Sequence, residues 1–214
     1  MMFDDCTRCI PPPVRRVLAS VAAVLVLGTP SGASVLYNEA LSGDFSNSGT
    51  APTVLPELPE GGCWVAGTMG QDAEGALDPD FFIFTVPSGL VLFGLTMDEF
   101  VPATGDTGAL GSFVALAIGS SIATDYPLNH LSNALVNEPG DVLGVLSQGA
   151  MFGGAPPFAT PLPAGTYTLW FQETADQVRY QFSFMTTPVP EPSAAALGLM
   201  TAAGLLGRRR RAGQ

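Results

Sequence analysis

Asp78-Pro79-Asp80-Phe81-Phe82-Ile83-Phe84-Thr85-Val86-Pro87-Ser88-Gly89-Leu90 decides the fold class. Six aromatic or β-branched residues in succession after Asp80 favour an extended chain. Pro87-Ser88-Gly89 then breaks the run, and residues 90–97 begin a second apolar run at once. This reads as two strands joined by a hairpin turn. A second pair lies near the end, where Pro163-Ala164-Gly165 launches residues 166–173 and residues 174–177 turn the chain into residues 178–185. Tyr167, Leu169 and Phe171 alternate with Thr166, Thr168, Trp170 and Gln172, so one face is apolar and Trp170 lies on the other. Tyr180, Phe182 and Phe184 repeat the alternation and are expected to answer across that pair.

Working outward, residues 35–41, 53–58, 63–68 and 113–118 are further short apolar or alternating segments bounded by Gly, Pro, Asp, Asn and Ser. No stretch of useful length with a 3.6-residue period separates them. Many short strands with frequent turn signals predict an all-β fold, a single antiparallel β-sandwich of jelly-roll-like form. Residues 119–162, rich in Gly, Pro and Asn, are expected to hold one or two irregular strands and a long loop.

The two ends differ from this body. Arg15 and Arg16 precede an apolar stretch over residues 17–27, and Ser31-Gly32-Ala33 offers small residues for cleavage before Ser34. That is the layout of a secretory signal peptide, helical while in the membrane. At the other end stand Val189-Pro190-Glu191-Pro192-Ser193, an uncharged segment over residues 193–207, and then Arg208, Arg209, Arg210 and Arg211. As a helix the uncharged segment would span about 22 Å, against a hydrocarbon core of about 30 Å. It suits a transient hold better than a permanent anchor. The arginines would stay cytoplasmic. Pro190 and Pro192 hold Glu191 on an extended stub, the backbone form a protease grips.

In order, spacing and terminal position this tail resembles the PEP-CTERM sorting signal. The resemblance implies a Gram-negative, exopolysaccharide-producing bacterium and a membrane exosortase that cuts near the Pro-Glu-Pro element. Expected organisation is therefore a signal peptide (residues 1–33), a β-sandwich (34–187) and a sorting signal with a transmembrane helix (188–214). Partners implied are signal peptidase and the Sec machinery, the exosortase, the inner membrane for a time, and extracellular polysaccharide. Expected localisation is the inner membrane transiently, then the cell surface or outside.

Within residues 34–187, one arginine, Arg179, and no lysine face sixteen carboxylates, a net charge of about −15. Such a body repels nucleic acid and anionic membranes; cations or neutral glycans suit it better. Cys6 and Cys9 fall in the leader, so the CxxC spacing carries no redox or metal expectation, and Cys63 is left as a single thiol expected to be a small buried hydrophobe beside Trp64.

Asp72, Glu74, Asp78 and Asp80 crowd one Gly-bearing loop, hard oxygen ligands of the kind Ca²⁺ takes, although the spacing is not that of an EF-hand and acidic loops are ordinarily just solvated. His130, the sole histidine, is expected on a surface loop, since no partner for catalysis or zinc accompanies it in sequence. No Gly-x-Ser-x-Gly elbow occurs. Trp170, opposite the apolar face, is the candidate for stacking on a sugar ring. The sequence from Asp78 to Gly89, with the later Leu162-Pro163-Ala164-Gly165-Thr166-Tyr167-Thr168-Leu169, resembles the pre-peptidase C-terminal type of secreted β-sandwich. That resemblance implies an accessory, non-catalytic domain, some of whose relatives bind calcium or sugars.

The leading expectation is thus a non-enzymatic, exported surface or matrix protein. A carbohydrate- or calcium-binding adhesive module comes second, and a secreted hydrolase with a carboxylate pair third.

Overall fold

A computed structural model describes residues 33–71, 75–103, 111–125, 130–153, 155–175 and 177–189. Residues 1–32 of the proposed leader, the Pro190–Ser193 motif, Arg208–Arg211, Asp72 and Glu74 all lie outside the described residues.

The described chain forms two sheets with little helix. In sequence order the elements are β1 (Ser34–Asn38), α1 (Glu39–Ser42), β2 (Thr53–Val54), β3 (Gly61–Gln71), β4 (Leu77–Asp78), β5 (Asp80–Val86), β6 (Leu90–Pro102), β7 (Ser112–Ile118), β8 (Ser132–Val136), β9 (Gly140–Asp141), α2 (Val142–Ser147), β10 (Gly165–Gln172) and β11 (Val178–Pro188). The first sheet runs β1-β3-β11-β6-β9, with β4 folded onto β3; the second runs β2-β5-β10-β7-β8. Both are antiparallel except at one edge each, where β1 lies parallel to β3 and β2 parallel to β5. The expected all-antiparallel sandwich is corrected at those two edges.

A larger correction concerns the turns. Pro87-Ser88-Gly89 does not close a hairpin: β5 pairs with β2 and β10, whereas β6 pairs with β11 and β9, so the turn carries the chain from one sheet to the other. The same holds at residues 173–177 between β10 and β11. Turn residues permit a reversal but do not say whether the next strand pairs beside or packs opposite. The second outcome wins because both strands of each couple present large apolar side chains that bury more surface face to face. Phe84 meets Phe184 with ring centroids 5.1 Å apart, and Phe171 meets Phe182 at 4.9 Å and Tyr180 at 5.0 Å. Tyr180 and Phe182 therefore answer β10 across the core, and Phe184 answers β5. Leu92, Leu95 and Met97 of β6 and Cys63, Val65 and Met69 of β3 complete that core. Burial pushes the Cys63 thiol up to about 11, and it is a packed, inert group.

Two segments expected as strands are partly something else. Asn38 accepts from the Ala40 N–H at 3.0 Å and caps α1, which ends the strand at residue 38. In residues 53–58 the ladder stops after Val54, because Pro56 has no N–H to give; Leu55 and Leu58 still donate to Ile83 O and Thr85 O and bury their side chains. The stretch 119–162 holds β8, β9 and the short α2, whose Val142, Leu143 and Leu146 close one end of the core.

Parallel β1 and antiparallel β11 flank β3. Ser34 at the start of β1 is level with Cys63, and Phe184 near the end of β11 is level with the same residue. Val189, just past β11, donates its N–H to Gly89 O at 2.8 Å.

Candidate cation site and aromatic surfaces

Three carboxylates that are distant in sequence meet beside the first sheet. Glu39 opens α1, Asp44 follows the Gly43 that ends it, and Asp80 opens β5 of the other sheet. One oxygen of each lies within 4.8 Å of the others. Oxygens bound to one Ca²⁺ at about 2.3–2.6 Å cannot be more than about 5 Å apart, so the trio fits one ion.

Local geometry fixes each member. Glu39 Oε1 accepts the Phe45 N–H at 2.9 Å, and Oε2 accepts the Thr68 N–H at 2.6 Å. The first bond folds the N-terminal segment back on itself, and the second fastens it to β3. Gly67 is required under the cluster: a Cβ there would lie 2.8 Å from both Glu39 Oε2 and the Tyr180 hydroxyl.

Asp80 is fully buried; its Oδ2 accepts from Tyr180 at 2.6 Å, while Oδ1 has no hydrogen-bond partner. A buried carboxylate with an orphaned oxygen is costly. Desolvation, then the nearby Glu39 charge, pushes Asp80 up to about 9 against the pull of the Tyr180 hydrogen bond. Desolvation likewise takes Glu39 up to about 7, although two backbone N–H groups oppose it. The cluster thus repels its own negative charge and needs a proton or a cation to be at ease. A divalent ion supplies the missing partner for Oδ1, and water would complete the six to eight oxygens Ca²⁺ takes.

Of the four acids singled out in sequence, Asp80 belongs to this trio. Asp78 sits on β4, one of the charges that raise Asp80, and is not a member of it. Glu39 and Asp44 were missed because they lie some forty residues upstream of Asp80, Glu39 inside the segment read as strand and Asp44 just after it. Their only signal was an acid next to a capping Asn and another after a Gly.

Trp170 lies on the outer face of the second sheet, as its alternation requires. That face carries its own apolar patch of Phe81, Ala115, Ala117 and Ile122, against which Phe113 and Trp170 pack. Trp170 stacks on Phe81 with centroids 5.2 Å apart and meets Phe113 at 4.7 Å and His130 at 5.9 Å edge-on; its indole N–H donates to Gln172 at 3.2 Å. A shallow cavity of about 270 Å³ lies beside it, lined also by Thr124 and Phe152.

His130 is not on the surface as expected but buried under this patch. Asn133 Oδ1 accepts the Phe152 N–H and its Nδ2 donates to Phe152 O, both at 2.8 Å, which sets the amide's orientation. Nδ2 therefore also donates to His130 Nδ1 at 3.2 Å, and His130 Nε2–H donates to Ala123 O at 2.7 Å. Burial lowers the histidine's pKa. The ring is a neutral structural bridge.

No protein-family model matches the chain, and no curated protein matches it. Among solved structures it is similar to the pre-peptidase C-terminal domain of a collagenase from Bacillus anthracis, at 11% identity over 75% of this chain and 99% of that one, with a TM-score of 0.26.

Proposed function

We propose that this chain is an exported, non-catalytic β-sandwich of the bacterial surface or its polysaccharide matrix, delivered by its end signals, whose body takes a calcium ion between Glu39, Asp44 and Asp80. The observation that carries the cation reading is the orphaned, fully buried Asp80 Oδ1 within a three-carboxylate cluster. Calcium bound there joins the N-terminal segment to β5, and through Tyr180 to β11.

Delivery rests on the sequence of the ends. In this reading the Sec machinery and signal peptidase process residues 1–33. The segment over residues 193–207 then holds the protein at the inner membrane, with Arg208, Arg209, Arg210 and Arg211 setting orientation, and an exosortase cuts near Pro190-Glu191-Pro192. Glycoside cleavage by a Glu39–Asp80 pair is disfavoured, because sealed Asp80 cannot touch a sugar.

Two measurements test the proposal separately. Calorimetric titration of the purified chain with CaCl₂ should show one saturable site that Asp80→Asn abolishes; no heat in the unaltered protein overturns the cation reading. Intact-mass analysis of the exported protein should show a species lacking the leader and the terminal arginines. A mature species that keeps those arginines overturns the sorting reading.

A further inference from the structure

On the outer face of the first sheet runs a trough of about 540 Å³, and Glu39 and Asp44 of the cation cluster are among the residues that line it. That volume is within the roughly 300–1,000 Å³ of ligand clefts. Its depth comes from a small residue among larger ones. Ala66 of β3 stands level with Gln181 of β11, and Gln181 with Glu99 of β6. Trp64 rises on one side of Ala66, Thr68 and Arg179 on the other, and α1 with Asn38 walls the outer edge.

Trp64 differs from Trp170 in its surroundings. It is half-buried, and it makes no ring contact or side-chain hydrogen bond with another residue among those described. Trp170 is already packed against three rings. Trp64 is thus the tryptophan with unused capacity.

The polar groups of the trough are of both kinds. Arg179 uses Nε and one terminal nitrogen on a single oxygen of Glu99, at 2.7 and 2.5 Å, leaving its other terminal nitrogen and the second Glu99 oxygen open. Gln181 commits its Nε2 to Asp98 and leaves its carbonyl; Asn38 commits its carbonyl to Ala40 and leaves its NH₂. Open donors and acceptors therefore share a patch floored by an alanine and edged by an indole. An anion would be repelled by Glu39, Asp44 and Glu99, and a cation held by those carboxylates would leave the Arg179 and Asn38 donors and the indole unused. A hydroxyl is donor and acceptor at once, and a sugar ring adds an apolar face for the indole.

We propose that this trough, walled by Trp64, Arg179, Glu99, Gln181 and Asn38, binds a neutral, hydroxyl-rich oligosaccharide whose ring stacks on Trp64. The inference gives the matrix reading its ligand class and rests on that reading for its biological setting. Glu39 and Asp44 line both the trough and the cation cluster, so sugar binding is measured with and without calcium.

The probe is a set of neutral hexose pentasaccharides of gluco, manno and galacto configuration, titrated into the full-length chain. In a Trp170→Phe background Trp64 is the sole indole, so at least one sugar should shift its emission to the blue in a saturable way. Calorimetry on the same sugar should show binding weakened about tenfold or more by Trp64→Ala. Trp64→Phe should retain part of the affinity, and Ala66→Tyr, which fills the trough, should remove it while leaving the melting curve cooperative. Trp170→Ala should bind as the unaltered chain does.

The proposal is overturned if no pentasaccharide binds the folded protein, if Trp64→Ala and Ala66→Tyr bind normally, or if penta-lysine binds where the sugars do not. Each titration is run in CaCl₂ and in chelator. Sugar binding without any calcium heat removes the cation reading alone, and the reverse removes this one.

Discussion

Asp80→Asn separates the two ways in which the carboxylate cluster can be satisfied. With no cation, Asp80 is held up to about 9 and is therefore protonated at pH 7, a form that asparagine imitates in shape and charge. The Tyr180 hydroxyl, 2.6 Å from Oδ2, keeps an acceptor if the amide oxygen takes that position. Melting in chelator should thus be unchanged or slightly higher in the variant. Calcium reverses the comparison. An extracellular-type site with Kd of about 0.1–1 mM, at about 10 mM CaCl₂, stabilises the native state by about 1.4–2.7 kcal/mol. At about 2–4 °C per kcal/mol for a domain this size, the unaltered protein should gain about 3–11 °C. Asp80→Asn should gain less than about 1 °C, and Glu39→Gln should behave alike. The assay is differential scanning calorimetry of each chain in CaCl₂ and in EGTA. An equal calcium shift in all three proteins, or none in the unaltered one, refutes the assignment of the ion to these carboxylates.

Three further outcomes follow from the packing. Gly67→Ala pushes a methyl to 2.8 Å from Glu39 Oε2 and the Tyr180 hydroxyl, so it should cost about 1–3 kcal/mol by urea unfolding and also remove the calcium shift. His130 is held neutral, its pKa below the unfolded value near 6.5. Its contribution is full above that value and is lost as pH falls toward the folded pKa, when a proton on Nδ1 would confront the Asn133 NH₂. His130→Gln should flatten that part of the stability profile between pH 7.5 and 5 by about 1 kcal/mol, read as the difference from the unaltered chain. Trp170→Ala removes a ring packed on Phe81, Phe113 and His130 and should cost about 2 kcal/mol, a loss seen in chemical denaturation with native secondary structure retained.

Strands were legible because alternation is a local property. Tyr167, Leu169 and Phe171 announce their common face within five residues, and the structure buries all three. Their sheet was not legible. Whether Pro87-Ser88-Gly89 makes a hairpin or an arch depends on Phe84 meeting Phe184, a hundred residues later, and no local pattern contains that contact. The cation cluster was half legible for the same reason. Asp80 drew notice among neighbouring acids, but its partners come from an N-terminal segment brought alongside by the parallel pairing of β1 with β3. His130 misled because a polar residue in a loop-like sequence reads as solvated. Asn133 and Ala123 supply hydrogen bonds that only the folded chain brings together.

The levelling of Ser34 and Phe184 on either side of Cys63 has a mechanical consequence. The polypeptide arrives and departs at one pole of the sandwich, two strand spacings or roughly 10 Å apart. A tether at either terminus then pulls on that same pole. Thr68 and Arg179 lie several residues along the strands toward the opposite pole, so a leash at either end leaves that part of the sheet free to face outward.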